Sequence, residues 1–121
     1  MDRAEISVMS VPATGNASAT PTVVVAQGEY DLSNAADLLA TLTRAIVHND
    51  ATVILDLGGV TFMDASTLRV IARASELLEA RARTFVLREP STFAHRILDI
   101  CGLAHLVELE TPRVVIRASA V

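Results

Sequence analysis

The sequence predicts an α/β fold: a single-layer, largely parallel sheet carrying amphipathic helices, in the order ββαβαβαβ. Two observations predict it. Short β-rich runs alternate with segments whose apolar residues recur at steps of three and four. The run "ATVILDLGG" is continuously apolar, as a strand buried on both faces must be. A chain of 121 residues, 51% hydrophobic, suits one domain over residues 1–121 with a substantial core.

Residues 4–9, "AEISVM", read as a first strand. Residues 10–22, "SVPATGNASATPT", are rich in Ser, Thr, Ala, Pro and Gly and read as a long loop. "PTVVVAQGEYD" is a second, β-branched strand bounded by Pro21 and Gly28. "DLSNAADLLATLTRAIVHND" is a helix with an inward stripe of Leu32, Ala35, Leu39, Leu42 and Ile46. Asp31 or Ser33 suits its start, Asn49 and Asp50 its end.

"ATVILDLGG" is the next strand, expected to turn at Gly58 and Gly59. A second long helix starts after Asp64, with Leu68, Ile71, Ser75, Leu78 and Ala82 inward. Glu79 and Arg83, four apart, are placed to pair. "TFVLR", 84–88, is a strand. "PSTFAHRILDICG" is a shorter helix stopped by Gly102. "AHLVELE" is a last strand, and the tail 111–121 receives no assignment.

Composition excludes several function classes. Net charge is −4, and every one of the ten cations is Arg. Without lysine there is no P-loop lysine, no Schiff base and no receiver-domain lysine. An acidic chain with 3% aromatic residues and scattered Arg argues against a nucleic-acid partner. No apolar run approaches the roughly 18 residues of a membrane span, and "MDRAEISVMS" lacks a basic region followed by an apolar one, so no signal peptide is expected. A cytoplasmic protein with no membrane partner is expected. Cys101, the single cysteine, is expected as a packed core thiol.

Asp31, Asp56 and Asp64 follow or close strands, and binding surfaces of parallel sheets lie beyond the carboxyl ends of strands. The three are expected to approach one another. His48, His95 and His105 lie outside ligand spacing of them and read as surface or satisfied residues. No Ser or Cys stands at recognisable spacing from a His. We therefore expect no catalytic residue, no metal and no cofactor.

Asp64 has a structural reading as a helix N-cap, which accepts orphan N–H groups and complements the helix dipole. A functional reading adds to it. At about 100° per residue, Ser66 points away from the core in line with Arg69 and Arg73, Ala65 lies at one margin, and Thr67 is closer to the core. This helix start has the makings of a contact surface.

Three segments resemble the anti-sigma factor antagonists, a family with the STAS fold. "VAQGEYDLSNAADLLATL" is similar to the family's strand–"GELD"–helix segment. "VILDLGGVTFMDASTLRVI" resembles its apolar strand, "FMDSSGL" and helix. "FVLREPSTFAHRILDICGLAHLVEL" is similar to its strand–helix–Gly–Leu–strand ending. The resemblance implies sequential parallel strands with helices packed on one side. It also implies binding to an anti-sigma factor, often a serine kinase, with release of a sigma factor. In the family the serine after the "FMD" aspartate is the phosphoacceptor.

Here that position is Ala65, which has no hydroxyl. Ser66 falls on the family's second serine, and Thr67 replaces its glycine. The candidate contact surface comprises Asp31, Met63, Asp64, Ala65, Ser66, Arg69 and Arg73. Two readings stay open: an antagonist that is not switched at position 65, or one switched through Ser66 or Thr67, with Arg69 and Arg73 pairing the phosphate. A sensory or ligand-binding module of the same fold is the competing class, and an enzyme using Asp31 and Asp64 is a third.

Overall fold

The computed structural model describes residues 5–10, 20–48 and 50–108. Its elements are β1 (Glu5–Ser10), β2 (Thr22–Tyr30), α1 (Ala35–His48), β3 (Val53–Met63), α2 (Ala65–Glu79), β4 (Phe85–Arg88), α3 (Thr92–Ile100) and a 3₁₀ turn, Ala104–Leu106. The strands lie in the order β1-β2-β3-β4. β1 pairs antiparallel with β2, and the other pairs are parallel. The α/β class and the sequential parallel sheet are as the sequence predicts. Most of the loop expected at 10–22 and all of the tail 111–121 lie outside the described residues, as does Asn49.

The core forms beneath the helices. Val24, Ala26, Val53, Leu55, Leu57, Phe85 and Leu87 point to it from the sheet. Leu38, Leu42 and Ile46 meet them from α1, Val70, Ile71, Ala74 and Leu78 from α2, and Ala94 and Leu98 from α3. Burial at this scale is the main stabilising contribution, about 1.5–3 kcal/mol for each large aliphatic side chain.

Several expectations need correction. Leu32 is not part of the α1 stripe: the helix begins at Ala35, and Leu32 sits in the preceding turn, 78% exposed. The α2 stripe is rotated toward Thr67, Val70, Ile71, Ala74 and Leu78, leaving Leu68 and Ser75 half-buried. Ala82 falls beyond the helix end, at φ +55°. Arg83 leaves the helix too, so it does not pair with Glu79. Its guanidinium instead donates to the carbonyls of Ile46 and Ala51, tying down the end of α1 and the approach to β3.

Gly58 and Gly59 do not turn the strand. β3 runs on to Met63 and carries two more residues than β2 over the paired stretch. Val25 and Gln27 face Asp56 and Gly59, while Gly28 and Glu29 face Val60 and Phe62. These are β-bulges, and glycine suits them. A Cβ on Gly59 would lie 2.9 Å from Gln27 Cγ, and Gly28 adopts φ +93°.

Of the expected last strand, 104–110, the described part holds one bridge, Leu87 to Val107, and residues 109–110 lie outside the described residues. The residues before Val107 form the 3₁₀ turn because Leu103 and Leu106, three apart, both reach the core. Gly102 stops α3 as expected, at φ +77°. Cys101 is exposed rather than packed: it caps a nine-residue helix whose inward residues are Ala94 and Leu98.

Candidate functional site

Tyr30 and Met63 are partners across β2 and β3, and the next residue on each strand is an aspartate. Asp31 and Asp64 therefore emerge side by side at the carboxyl ends of the two central strands. Each opens the same pattern, Asp-x-Ser: Asp31-Leu32-Ser33 and Asp64-Ala65-Ser66.

The two turns are built alike. Asp31 Oδ1 accepts the Ser33 backbone N–H at 2.9 Å and the Ser33 hydroxyl at 2.6 Å. Asp64 Oδ1 accepts the Ser66 N–H at 2.9 Å and the Ser66 hydroxyl at 2.5 Å, with the Thr67 N–H at 3.4 Å. Asp64 is thus the N-cap of α2, with an extended backbone at φ −119°, ψ −169°. The Ser66 hydroxyl holds the Asp64 carboxyl below its usual range. Partial desolvation opposes this, and the Thr67 and Ser66 backbone N–H groups add to it.

A buried floor supports the pair. Tyr30 is 0% and Met63 3% exposed. The Tyr30 hydroxyl donates to the Glu5 carbonyl at 2.9 Å and accepts from Gln27 N–H at 3.2 Å, locking β1 to the end of β2. Burial pushes the Tyr30 phenol up. Met63 was a candidate contact residue, and this burial corrects it: its side chain supports the surface from below.

Asp31 and Asp64 each follow one of the paired residues Tyr30 and Met63, and Ala65 and Ser66 come next after Asp64. Ala65 is exposed. Ser66 is half-buried instead of pointing straight outward, because its hydroxyl turns back to Asp64. Arg69 is exposed one turn along α2, and Arg73 two turns along, 3.4 Å from Glu76. Thr67 is 1% exposed and its hydroxyl has no partner, so no kinase can reach it as the chain is folded. Asp56 does not join the group. It pairs with Val25 and Arg88, five residues before Tyr30 along the ladder, or roughly 17 Å. Its carboxylate accepts Gly58 N–H instead.

The sequence reading missed three contributors: Leu32, Ser33 and Phe62. Leu32 is 78% and Phe62 47% exposed, and they lie beside Asp31 and Met63 in the chain. The repeated "DxS" after two strands was the available signal. Exposed Leu32 and Phe62 thus stand next in the chain to Asp31 and Met63, while Ala65 and Arg69 are exposed at the start of α2. Among the described residues, no three His, Cys, Asp or Glu side chains converge to hold a metal ion. Among them, no helix is long and apolar enough to cross a membrane.

The family model described as "Mlab, STAS domain" matches residues 14–108. No curated protein matches the chain significantly. Among solved structures, the chain is similar to the unphosphorylated form of the anti-sigma factor antagonist SpoIIAA of Bacillus. The TM-score is 0.68 at 22% identity, covering 92% of this chain and 94% of that one. An anti-sigma factor antagonist from Mycobacterium paratuberculosis gives 0.64 at 22% identity, covering 84% and 81%. The murine anion transporter Slc26a9 gives 0.65 at 15% identity, covering 88% of this chain and 20% of the transporter. At these identities the structural likeness establishes the fold, and the family match establishes membership: the chain belongs to the STAS-domain family.

Proposed function

We propose, from this membership, that the protein is an anti-sigma factor antagonist whose docking surface carries no phosphorylation switch. In this reading it works in the cytoplasm by binding, without catalysis. The partner is an anti-sigma factor of the serine-kinase type, and its capture frees a sigma factor. The near end-to-end likeness to SpoIIAA supports the antagonist class.

One observation carries the unswitched reading. The exposed position between Asp64 and Ser66 bears only the Ala65 methyl, and the one adjacent hydroxyl is already bonded to Asp64. A phosphate on Ser66 would break that bond and set about −1.5 to −2 charges beside the carboxylate that holds it. Arg73 is occupied in part by Glu76. Ser66 is therefore a poor acceptor, and Thr67 is buried. The partner surface we assign comprises Asp31, Leu32, Phe62, Ala65, Ser66 and Arg69.

The test is a phosphorylation and binding assay with the anti-sigma kinase recovered from native cytoplasm. Wild type should bind the kinase and stay unmodified with ATP, and Ala65→Ser should accept phosphate and dissociate. Stoichiometric phosphate on Ser66 of the wild type would refute the unswitched reading. Failure of any serine-kinase anti-sigma factor to bind would refute antagonism.

A second reading, a STAS module inside a transport assembly, is favoured by the likeness to Slc26a9. It predicts co-purification with membrane components and no effect on any sigma factor.

A further inference from the structure

The two edges of the sheet are finished differently. At one edge β4 is four residues long, Val107 bridges Leu87, and the Glu108 N–H donates to the Leu87 carbonyl at 2.8 Å. Arg88 and Glu108 pair there at 3.3 Å. A short strand, a covering segment and charge are the usual protections of an exposed edge. Among the described residues, β1 has none of them. It is six residues long, and its register with β2 runs unbroken from Glu5 to Ser10, so no bulge twists it away. It contains no Pro and no cation, and its one charge stands at its first residue. Among the described residues, β2 is the one strand that pairs with it.

The direction of the β1 backbone groups follows from its neighbour. The Thr22 N–H donates to the Thr52 carbonyl at 2.8 Å, so Thr22 and Val24 turn their peptide groups to β3, and Val23 and Val25 turn theirs to β1. Val23 and Val25 oppose Met9 and Ser7. Ile6 and Val8 therefore direct their N–H and C=O groups outward, away from β2. Their side chains share the core face with Ala26 and Val24, which they oppose. Along the row Val8–Val24–Leu55–Leu87, the three inner residues are 0% exposed and Val8 is 52% exposed. The apolar row of the core runs off the sheet at its unprotected edge.

We propose that this edge takes a second copy of the chain, β1 against β1, antiparallel about a two-fold axis through Ser7. The bonding pattern selects that register. Ile6 of each copy faces Val8 of the other, and each such pair exchanges both of its N–H···O=C bonds. The exposed Val8 gains an aliphatic neighbour, and the core row continues from one copy into the next. A shift of two residues either way no longer sets Ile6 against Val8. The Glu5 carboxylates stay about 14 Å apart along the ladder, beyond the roughly 8 Å screening length. Two four-stranded sheets join into one, with the Asp31 and Asp64 turns of the two copies at opposite ends. One strand pair is smaller than a standard interface of about 1,600 Å², so the association is weak and reversible.

Sedimentation equilibrium of the full chain from about 10 µM to about 1 mM, the range of weak association, should show the mass rising toward that of a dimer. Val8→Lys sets a charge on the edge and leaves the bonds of Ser7 and Met9 to β2 in place. It should dimerise about tenfold more weakly, or worse, with an unchanged urea midpoint. Amide exchange locates the contact without any variant: Ile6 and Val8 should gain protection with concentration, while Ser7, bonded to β2, holds constant. A mass that stays monomeric to the top of the range overturns the proposal. So does a dimer in which the Ile6 and Val8 amides gain no protection, or one that a folded Val8→Lys leaves at wild-type strength.

Discussion

Asp31-Leu32-Ser33 and Asp64-Ala65-Ser66 make the same two hydrogen bonds at adjacent strand ends, yet they lead to different structures. After Asp31 the chain pauses. Asn34 accepts Asp31 N–H and donates to the Glu29 carbonyl, both at 2.9 Å, and α1 waits until Ala35. After Asp64 there is no pause, and α2 starts at Ala65. The first turn lifts Leu32 onto a tip. The second sets Ala65 at the first position of a helix, where a new negative charge meets a partner but suits the helix dipole. A shared local motif fixes the geometry of each strand exit, and the residue after it decides what the exit presents.

The largest expected effect breaks the second turn as a contact without breaking it as a structure. Ala65→Glu should weaken binding to the anti-sigma factor by about 100-fold or more, since a like-charge juxtaposition costs several kcal/mol and 1.4 kcal/mol is tenfold. Its urea midpoint should shift by less than about 0.5 kcal/mol equivalent, as for other surface changes. Calorimetric titration beside urea unfolding separates the two. Equal affinity would move the contact surface elsewhere.

Next come the aspartates. Asp64→Ala removes the cap of a fifteen-residue helix and should cost about 1–2 kcal/mol. Asp31→Ala should cost about half as much or less, on the low side of the same range, because Asn34 still braces the turn. Equal losses in urea unfolding would show that the two turns are energetically equivalent. A smaller effect, of opposite sign, concerns the floor of the second turn. Thr67→Val replaces a buried, unpartnered hydroxyl by a methyl of similar shape and should stabilise the protein by about 1 kcal/mol. Loss of stability would mean that the hydroxyl has a partner in solution.

The same contrast explains what was legible in the sequence. The sheet order follows from alternating β-rich and helix-period runs, and Asp64 as a cap follows from its place before a helical pattern. The α1 stripe misplaced Leu32 because its apolar spacing continues backward through "DLSN", while the Asp31 turn and Asn34 delay the helix by three residues. Met63 sits in the family-like "FMD" beside exposed Phe62, and strand alternation alone decides which of the two is buried. Gly58 and Gly59 read as a turn because a bulge and a turn both favour glycine; only the pairing of Gly59 with Gln27 and of Val60 with Gly28 distinguishes them. Side-chain traffic was the least legible. Nothing in the spacing says that Arg83 leaves its helix for the carbonyls of Ile46 and Ala51, or that the Ser66 hydroxyl faces Asp64.

The smallest effect is also the sharpest probe of that hydroxyl. The Asp64 carboxyl is held below its ordinary 3.8 chiefly by the Ser66 hydroxyl. A carboxyl lowered on folding contributes stability that is complete above its unfolded value and is lost as pH falls through the folded value. The pH window therefore opens near 3.8 and extends downward. Wild type should be more stable than Asp64→Asn at neutral pH, and the difference should shrink on acidification below pH 3.8. Ser66→Ala, which leaves both backbone N–H donors in place, should raise the Asp64 midpoint toward its ordinary value and narrow that window. Carboxyl carbon chemical shifts followed through an acid titration report the midpoint directly. An unchanged midpoint in Ser66→Ala would mean that the Ser66 hydroxyl is not bound to Asp64 in solution, which would restore it as a free acceptor at the helix start and sink the unswitched reading on physical grounds.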